Sequence, residues 1–85
     1  LFTQVGPWWD RNGTNEIDCV AVDDLNQTVC FAEIKRNPAK IQISSLKEKA
    51  KVFLSFNPEL ENYQTLFLGL STEELGSDKK LPFET

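Results

Sequence analysis

Two short charged triplets, residues 16–18 (Glu-Ile-Asp) and residues 33–35 (Glu-Ile-Lys), carry the types and spacing that could support catalysis. Glu33 and Lys35 are two residues apart, so on a β-strand they project from the same face. Neighbouring carboxylates suit a hard divalent cation such as Mg²⁺ or Mn²⁺, and an adjacent lysine suits a phosphate or an attacking water. The chemistry indicated is metal-dependent hydrolysis of a phosphodiester bond.

Each triplet lies in a run with the composition of a β-strand, Glu16–Asp23 and Thr28–Lys35. Turn-forming residues 24–27 between the runs predict an antiparallel hairpin. Residue numbers opposed in a hairpin have a nearly constant sum, here near 51, so Asp18 is expected opposite Glu33. Opposed residues have Cβ atoms about 4.5–5.5 Å apart, close enough for their carboxylates to share one cation.

The expected roles follow from this geometry. Asp18 and Glu33 would hold the cation, with the carbonyl of Ile34 as an additional ligand. Lys35 would orient or help to deprotonate the attacking water, or stabilise the transition state, and Glu16 could assist from the same face. The spacing alone leaves a second interpretation open, in which Glu33 and Lys35 form a charged pair at a strand end and Asp18 is solvated.

Two further strands and one helix complete the predicted elements. The apolar and aromatic start, Leu1–Trp9, predicts a short strand, and the apolar run Gln64–Ser71 predicts a strand covered on both faces. Apolar residues at helical spacing predict a helix capped by Ser44 or Ser45 and ending near Ser55. The order strand, strand, strand, helix, strand predicts a mixed α/β sheet.

Local features within these elements are also predicted. Glu48, near the start of the helix, is a candidate for a capping box. Alternation along the second strand places Ile17 on the face opposite Val20 and Val22. The tryptophans at positions 8–9 could stack on bases or fill the core, and adjacent residues of an extended segment face opposite ways, so at least one ring is expected in the core.

Composition indicates one small domain. The 85 residues are 40% hydrophobic and 26% charged, which is ordinary for a soluble globular protein. There is no apolar run of the ~20 residues that a transmembrane helix needs, and the first residues do not form a secretory signal, so we expect a cytoplasmic protein without membrane contact. The sequence contains no methionine, and we expect it to be a fragment of a longer chain.

Histidine and cysteine usage narrows the chemistry. The absence of histidine excludes a Ser-His-Asp or Cys-His mechanism, and any imidazole metal site, within these 85 residues. Cys19 and Cys30 lack the spacing of a metal motif, and the strand pattern places them on the face opposite Asp18 and Glu33. They are interpreted as small core residues in a reducing compartment, with a cross-strand disulfide as the alternative.

Charge is unevenly distributed along the chain. The net charge of −4 argues against a dedicated nucleic-acid binder, yet the stretch from Lys35 to Lys51 has six basic residues and one acid, a local charge of +5. This stretch could be a solvated helix face or a surface for nucleic acid. Its candidate nucleic-acid-binding residues beyond the charged triplet are Arg36, Lys40, Lys47 and Lys51.

At these residues the sequence resembles the PD-(D/E)XK nuclease superfamily, which includes restriction endonucleases and archaeal Holliday-junction resolvases. The signature is an aspartate on one core strand followed by an acid-x-lysine triplet on the next, matched here by Asp18, Glu33 and Lys35. Ile17 stands at the position of the proline in the family name. The resemblance implies a restriction-endonuclease-like fold truncated at its N-terminus, with Mg²⁺ or Mn²⁺ as cofactor. It also implies nucleic acid as substrate, either DNA or RNA, with DNA as the expected partner.

A narrower resemblance spans about residues 3–72. Residues 5–9 (Val-Gly-Pro-Trp-Trp), 15–18 (Asn-Glu-Ile-Asp) and 30–35 (Cys-Phe-Ala-Glu-Ile-Lys) are similar to the domain of unknown function at the C-terminus of archaeal-type AAA ATPases. This implies that the ATPase domain of the parent chain is a partner, and that ATP is bound only there, outside this chain. The domain is expected over residues 1–76, with a polar tail over residues 77–85.

Three functions are therefore open at the level of sequence. The first is a Mg²⁺- or Mn²⁺-dependent nuclease, or a degenerate descendant, attached to an AAA ATPase. The second is a catalytically inactive module that binds nucleic acid or protein and regulates the ATPase. The third is a structural oligomerisation domain, with a homodimer as the simplest form.

Overall fold

Four strands and one helix make up the fold, in the predicted order. The computed structural model describes residues 2–72 of the chain, so the predicted tail at 77–85 lies outside the described residues. The elements are β1 (Gln4–Trp9), β2 (Glu16–Asp23), β3 (Thr28–Lys35), α1 (Ile43–Phe56) and β4 (Gln64–Ser71), with single 3₁₀ turns at Pro38–Lys40 and Pro58–Leu60. The predicted strand, strand, strand, helix, strand order of a mixed α/β sheet is confirmed.

The sheet has the strand order β1-β2-β3-β4. The first three strands form an antiparallel meander, and α1 is the crossover that brings β4 alongside β3 in parallel. In the hairpin, Cys19 pairs with Ala32 and Asp23 pairs with Thr28. The predicted hairpin register is thus confirmed over these pairs.

The hydrophobic core lies between α1 and one face of the sheet. Val29 and Phe31 on β3 are fully buried, and Leu46 is 2% exposed on the helix. The ring of Phe31 contacts those of Phe53 on α1 and Phe67 on β4, each at a centroid distance of 5.5 Å. Burying a side chain of this kind stabilises the fold by about 1.5–3 kcal/mol, so this cluster anchors the helix to the sheet.

A β-bulge in β2 changes which residues face the core. Val20 pairs with Gly6 of β1, whereas Ile17 pairs with Trp8, so Asp18 and Cys19 together lie opposite one residue. The predicted alternation is therefore wrong at Ile17, because the extra residue moves this side chain into the core cluster that contains Val20. The residue opposite the bulge is Pro7, which has no N–H to give to a regular ladder.

The start of α1 differs from the prediction. The helix begins at Ile43, its N-cap is Gln42, and no side chain caps it. Neither predicted serine is therefore the cap. Glu48 is too far into the helix for a capping box, which requires the third helical residue, and instead it contacts Lys51 at 3.4 Å.

The prediction that Gln64–Ser71 is covered on both faces is also wrong. This strand is at the edge of the sheet, and Leu66 and Leu68 remain 47% and 46% exposed. The helix covers only the face that carries Phe67. Among residues 2–72, no helix or strand packs against the face of β4 that carries Leu66 and Leu68. Within the same residues, no helix is long and apolar enough to cross a membrane.

Candidate functional site

The predicted site residues lie at the open end of the β2–β3 hairpin, the end opposite its turn. Asp18 lies near the beginning of β2, and Glu33 and Lys35 lie near the end of β3. Because the strands are antiparallel, these two regions are neighbours. The last paired residues before this end are Cys19 and Ala32, and Asp18 and Glu33 are the residues that come next on the two strands.

The carboxylate of Asp18 takes the place of a backbone partner. Its Oδ2 accepts a hydrogen bond of 2.8 Å from the backbone N–H of Ile34. The bulge interrupts the ladder at this point, which explains why a side chain is the acceptor. In an antiparallel ladder the N–H and C=O groups of one residue point to the same neighbouring strand, so the carbonyl of Ile34 is also expected to point towards β2. This is the carbonyl predicted as a ligand.

Glu33 has two partners at the same end. Its Oε1 lies 3.6 Å from Nζ of Lys35, and its Oε2 accepts a hydrogen bond of 3.1 Å from the backbone N–H of Gln42. The Glu33 side chain is 12% exposed and that of Lys35 is 44% exposed. The acid is thus held in place beneath a lysine that solvent can reach.

These groups fit a small divalent cation by their donor chemistry. Asp18 and Glu33 supply carboxylate oxygens, Ile34 supplies a carbonyl, and Oδ1 of Asp18 has no hydrogen-bond partner among residues 2–72. Mg²⁺ is commonly held by one or two carboxylates together with substrate phosphates and water. Within the described residues, no group of three or more acids, cysteines and histidines could enclose a metal by itself. These donors suit a hard divalent cation in an open site, and the binding of Mg²⁺ or Mn²⁺ stays a prediction.

Within residues 2–72, no hydrogen bond or ion pair joins the other predicted site residues to Asp18, Glu33 or Lys35. Glu16 is exposed and pairs with Trp9 across the β1–β2 ladder. The predicted basic surface is spread over the loop and the helix. Lys47 lies 5.5 Å from the centre of the Phe67 ring, and Lys51 is paired with Glu48. Arg36 and Lys40 are exposed after β3. The role of these residues in binding nucleic acid stays a prediction.

The two tryptophans have different environments, as predicted for adjacent residues. Trp8 packs edge-to-face on Phe53 at 5.5 Å, which confirms that one ring fills the core, and Trp9 is 62% exposed. Together with Arg11 and Phe56, these tryptophans line an open cleft of about 460 Å³.

The two cysteines are free thiols, and each is half-buried. In the hairpin register Cys19 is opposite Ala32, and Cys30 is opposite Ala21, so the cysteines are diagonal neighbours. Diagonal Cβ atoms are about 7–8 Å apart, whereas a disulfide needs about 3.5–4.5 Å. Burial, with a contribution from Cys19, raises the pKa of the Cys30 thiol. The cysteines are thus free, and the disulfide alternative is wrong. Neither belongs to the buried core cluster, so the prediction of core residues is wrong in this respect, and the reducing compartment stays a prediction.

Sequence reasoning missed two features that build the site. The first is the backbone N–H of Gln42, which the loop after β3 brings to Glu33 from nine residues away, and no sequence signal marks it. The second is the bulge at Asp18. Pro7 in an otherwise strand-like segment was a usable signal, because proline within a sheet favours edge strands and bulges.

Comparison with known proteins gives one family. No curated protein matches the chain. The sequence model of DUF234, described as archaea bacterial proteins of unknown function, matches residues 1–51. This range is more than half of the chain, and it includes β1, β2, β3 and the open-end residues Asp18, Glu33 and Lys35. The chain therefore belongs to the DUF234 family of archaeal and bacterial proteins.

Proposed function

We propose that this chain is the nuclease-like domain of an AAA-type ATPase, and that it hydrolyses phosphodiester bonds of nucleic acid with Mg²⁺ or Mn²⁺. One observation carries the proposal. The fold brings Asp18, Glu33 and Lys35 to one end of one hairpin. The carboxylate of Asp18 accepts a hydrogen bond from the backbone of Ile34, and Nζ of Lys35 lies 3.6 Å from the carboxylate of Glu33. Two acids, a backbone carbonyl and a lysine are the groups that metal-dependent phosphodiester hydrolysis requires.

Each residue has a distinct part in the proposed reaction. Asp18 and Glu33 hold the cation, and the hydrogen bonds from the backbone of Ile34 and Gln42 keep the two carboxylates in position. A bound divalent cation supplies a Lewis acid for the scissile phosphate and for water. Lys35 holds positive charge beside Glu33, where it orients the attacking water or stabilises negative charge that develops on the phosphate.

The wider context of the proposal comes from the resemblance and from composition. The ATPase domain would be elsewhere in the parent chain and would bind the ATP, and DNA is the substrate that we propose. Two free thiols suit a reducing compartment, which supports a cytoplasmic location.

The decisive experiment combines cation binding with cleavage. We expect calorimetry to show Mn²⁺ binding to the chain, and Asp18→Asn to weaken it at least about tenfold because a ligand charge is lost. We also expect the full-length parent to cleave DNA with Mg²⁺ or Mn²⁺, and Asp18→Asn to abolish this cleavage. Glu48→Gln is the matched control, since Glu48 is an exposed acid that is also paired with a lysine. Absence of Mn²⁺ binding together with unchanged cleavage would exclude the catalytic proposal.

A second candidate is a catalytically inactive module that binds nucleic acid or protein and regulates the ATPase. The observation that favours it is the engagement of both Glu33 oxygens, one by Lys35 and the other by the backbone of Gln42. A glutamate whose two carboxylate oxygens both contact protein groups can have a purely structural role. In that case the wild-type chain would bind DNA or the ATPase without binding Mn²⁺, and Asp18→Asn would leave the binding unchanged.

A further inference from the structure

The two edge strands of the sheet differ in how they are protected against pairing with another strand. β1 contains Pro7, which cannot donate a backbone hydrogen bond, and it lies opposite the bulge in β2. Proline and bulges are among the devices that keep an edge from adding a further strand. β4 has neither device, because all eight residues from Gln64 to Ser71 pair with β3 in one uninterrupted register.

β4 also lacks the charges that usually protect an edge. Its sequence, Gln-Thr-Leu-Phe-Leu-Gly-Leu-Ser, contains no charged residue and no proline, although the chain has a net charge of −4. Leu66 and Leu68 are about half exposed, and the neighbouring Ile34 of β3 is 42% exposed. Among residues 2–72, no segment pairs with the outer edge of this strand. A long, neutral, apolar edge is a pairing surface.

We propose that the outer edge of β4 pairs with β4 of a second copy of this chain, antiparallel and about a two-fold axis at Phe67. This register places Leu66 opposite Leu68 of the second copy, and Phe67 opposite its own equivalent. Directly opposed residues of an antiparallel pair project from the same face. The exposed leucines of both copies therefore meet on one face, and the two α1 helices lie together on the other.

The properties of the strand favour a second copy over an unrelated partner. A two-fold interface places the same surface against itself, so it must be self-complementary. A strand without charged residues brings no like charges together when it pairs with its own copy, and Gln64–Ser71 contains no charged residue. The alternation of leucines at positions 66 and 68 about Phe67 lets both faces match in the proposed register. The result is one continuous eight-stranded sheet.

The test is the association state of the 85-residue chain. We expect sedimentation equilibrium to show a reversible dimer, and Leu68→Lys to weaken it at least tenfold by placing like charges at the shared edge. The matched control is Leu25→Lys, since Leu25 is 84% exposed in the hairpin turn and is not part of β4, and its dimer constant is expected to be unchanged. Circular dichroism of both variants establishes that each remains folded.

Hydrogen exchange of the β4 amides gives an independent measurement. Their protection should rise with chain concentration in the wild type, and this dependence should disappear in Leu68→Lys. A chain that stays monomeric into the millimolar range would overturn the proposal, as would a dimer that Leu68→Lys leaves intact. Protection that does not depend on concentration would show that the chain's own residues cover the edge, and it would also overturn the proposal.

Discussion

The turn end of the β2–β3 hairpin carries Asp23 and Asp24, and the open end carries Glu16, Asp18 and Glu33. Asp18 differs from the turn-end acids in how its oxygens are used. At the turn end, both oxygens of Asp23 accept hydrogen bonds from Asn26, at 3.1 and 2.7 Å. Both oxygens of Asp24 are also occupied, by the hydroxyls of Thr3 and Tyr63 at 3.0 and 2.7 Å. At the open end, one oxygen of Asp18 accepts a single backbone hydrogen bond.

This difference separates acids that hold the fold together from acids that can act on something else. Bonds from Asn26 hold the pKa of Asp23 below its ordinary value, and the bond to Asp24 raises the pKa of Tyr63. Asp24 therefore ties the hairpin to the segments before β1 and before β4, and Asp23 holds the turn itself. Asp18 keeps acceptor capacity among the described residues, which is what binding a cation requires.

After the loss of Asp18 itself, the largest expected effect on catalysis comes from Lys35→Ala in the full-length parent. We expect cleavage to fall at least about 100-fold, because Lys35 acts in the transition state, while Mn²⁺ affinity is kept. Glu48→Ala is the matched control, since it breaks a similar exposed pair, Glu48 with Lys51 at 3.4 Å, and removes no candidate binding residue. Equal cleavage by the two variants would mean that Lys35 and Glu33 are only a charged pair at a strand end.

The next largest effect is expected from Gly69→Ala, which disturbs the packing beside the open end of the hairpin. Gly69 pairs with Glu33, and a Cβ added there would lie 2.6 Å from Cγ2 of Ile41. Forcing Ile41 away should cost about 1–3 kcal/mol of unfolding free energy, measured by urea denaturation. It should also disturb the neighbouring Gln42, and so weaken Mn²⁺ binding. Gly6→Ala, where no atom lies within 4 Å, is expected to change neither quantity.

A smaller effect tests the turn end directly, through Asp24→Ala. Loss of the hydrogen bonds to Thr3 and Tyr63 should lower the unfolding free energy by about 1 kcal/mol and leave cleavage unchanged. Asp18→Ala should do the reverse, with loss of cleavage and a stability change within about 0.5 kcal/mol. The comparison of the two ends fails if Asp24→Ala reduces cleavage as strongly as Asp18→Ala does.

The smallest effect is on the pH dependence of stability. The pKa of Asp23 is lowered in the folded state, so its contribution is present above the unfolded value of about 3.9 and is lost as the pH falls through the folded value. Asn26→Ala removes the side-chain amide, which is the largest cause of this shift, and keeps the backbone N–H that bonds the other oxygen of Asp23. Urea midpoints measured at about pH 6 and about pH 3 should therefore differ less in Asn26→Ala than in the wild type. An equal difference would show that Asn26 does not stabilise the ionised form.

The hairpin was predictable because its signals are local. Turn residues and alternating strand composition predicted the bounds of β2 and β3 and the register that pairs Cys19 with Ala32. The apolar run of β4 was found for the same reason. The start of the helix was less accurate, because Ile43 begins the helix without a side-chain cap, and the serines that follow it suggested a later start.

The site was predictable only in part. The register predicted that Asp18 and Glu33 would occupy neighbouring positions at one end of the hairpin. The bulge could not be read from β2 alone, since it arises where β2 meets β1 at Pro7. The exposure of β4 was likewise missed, because an apolar composition does not say whether the second face of a strand will be covered by another element.

The sequence by itself determined the order of elements, the hairpin and the presence of two acids and a lysine at its open end, because propensity, turn chemistry and register act over short stretches of chain. Tertiary structure decided which oxygens are occupied. The pairing of β1 with β2 introduced the bulge at Asp18, and the path of the loop after β3 brought Gln42 to Glu33. These contacts depend on where separate elements pack, and no local pattern encodes that.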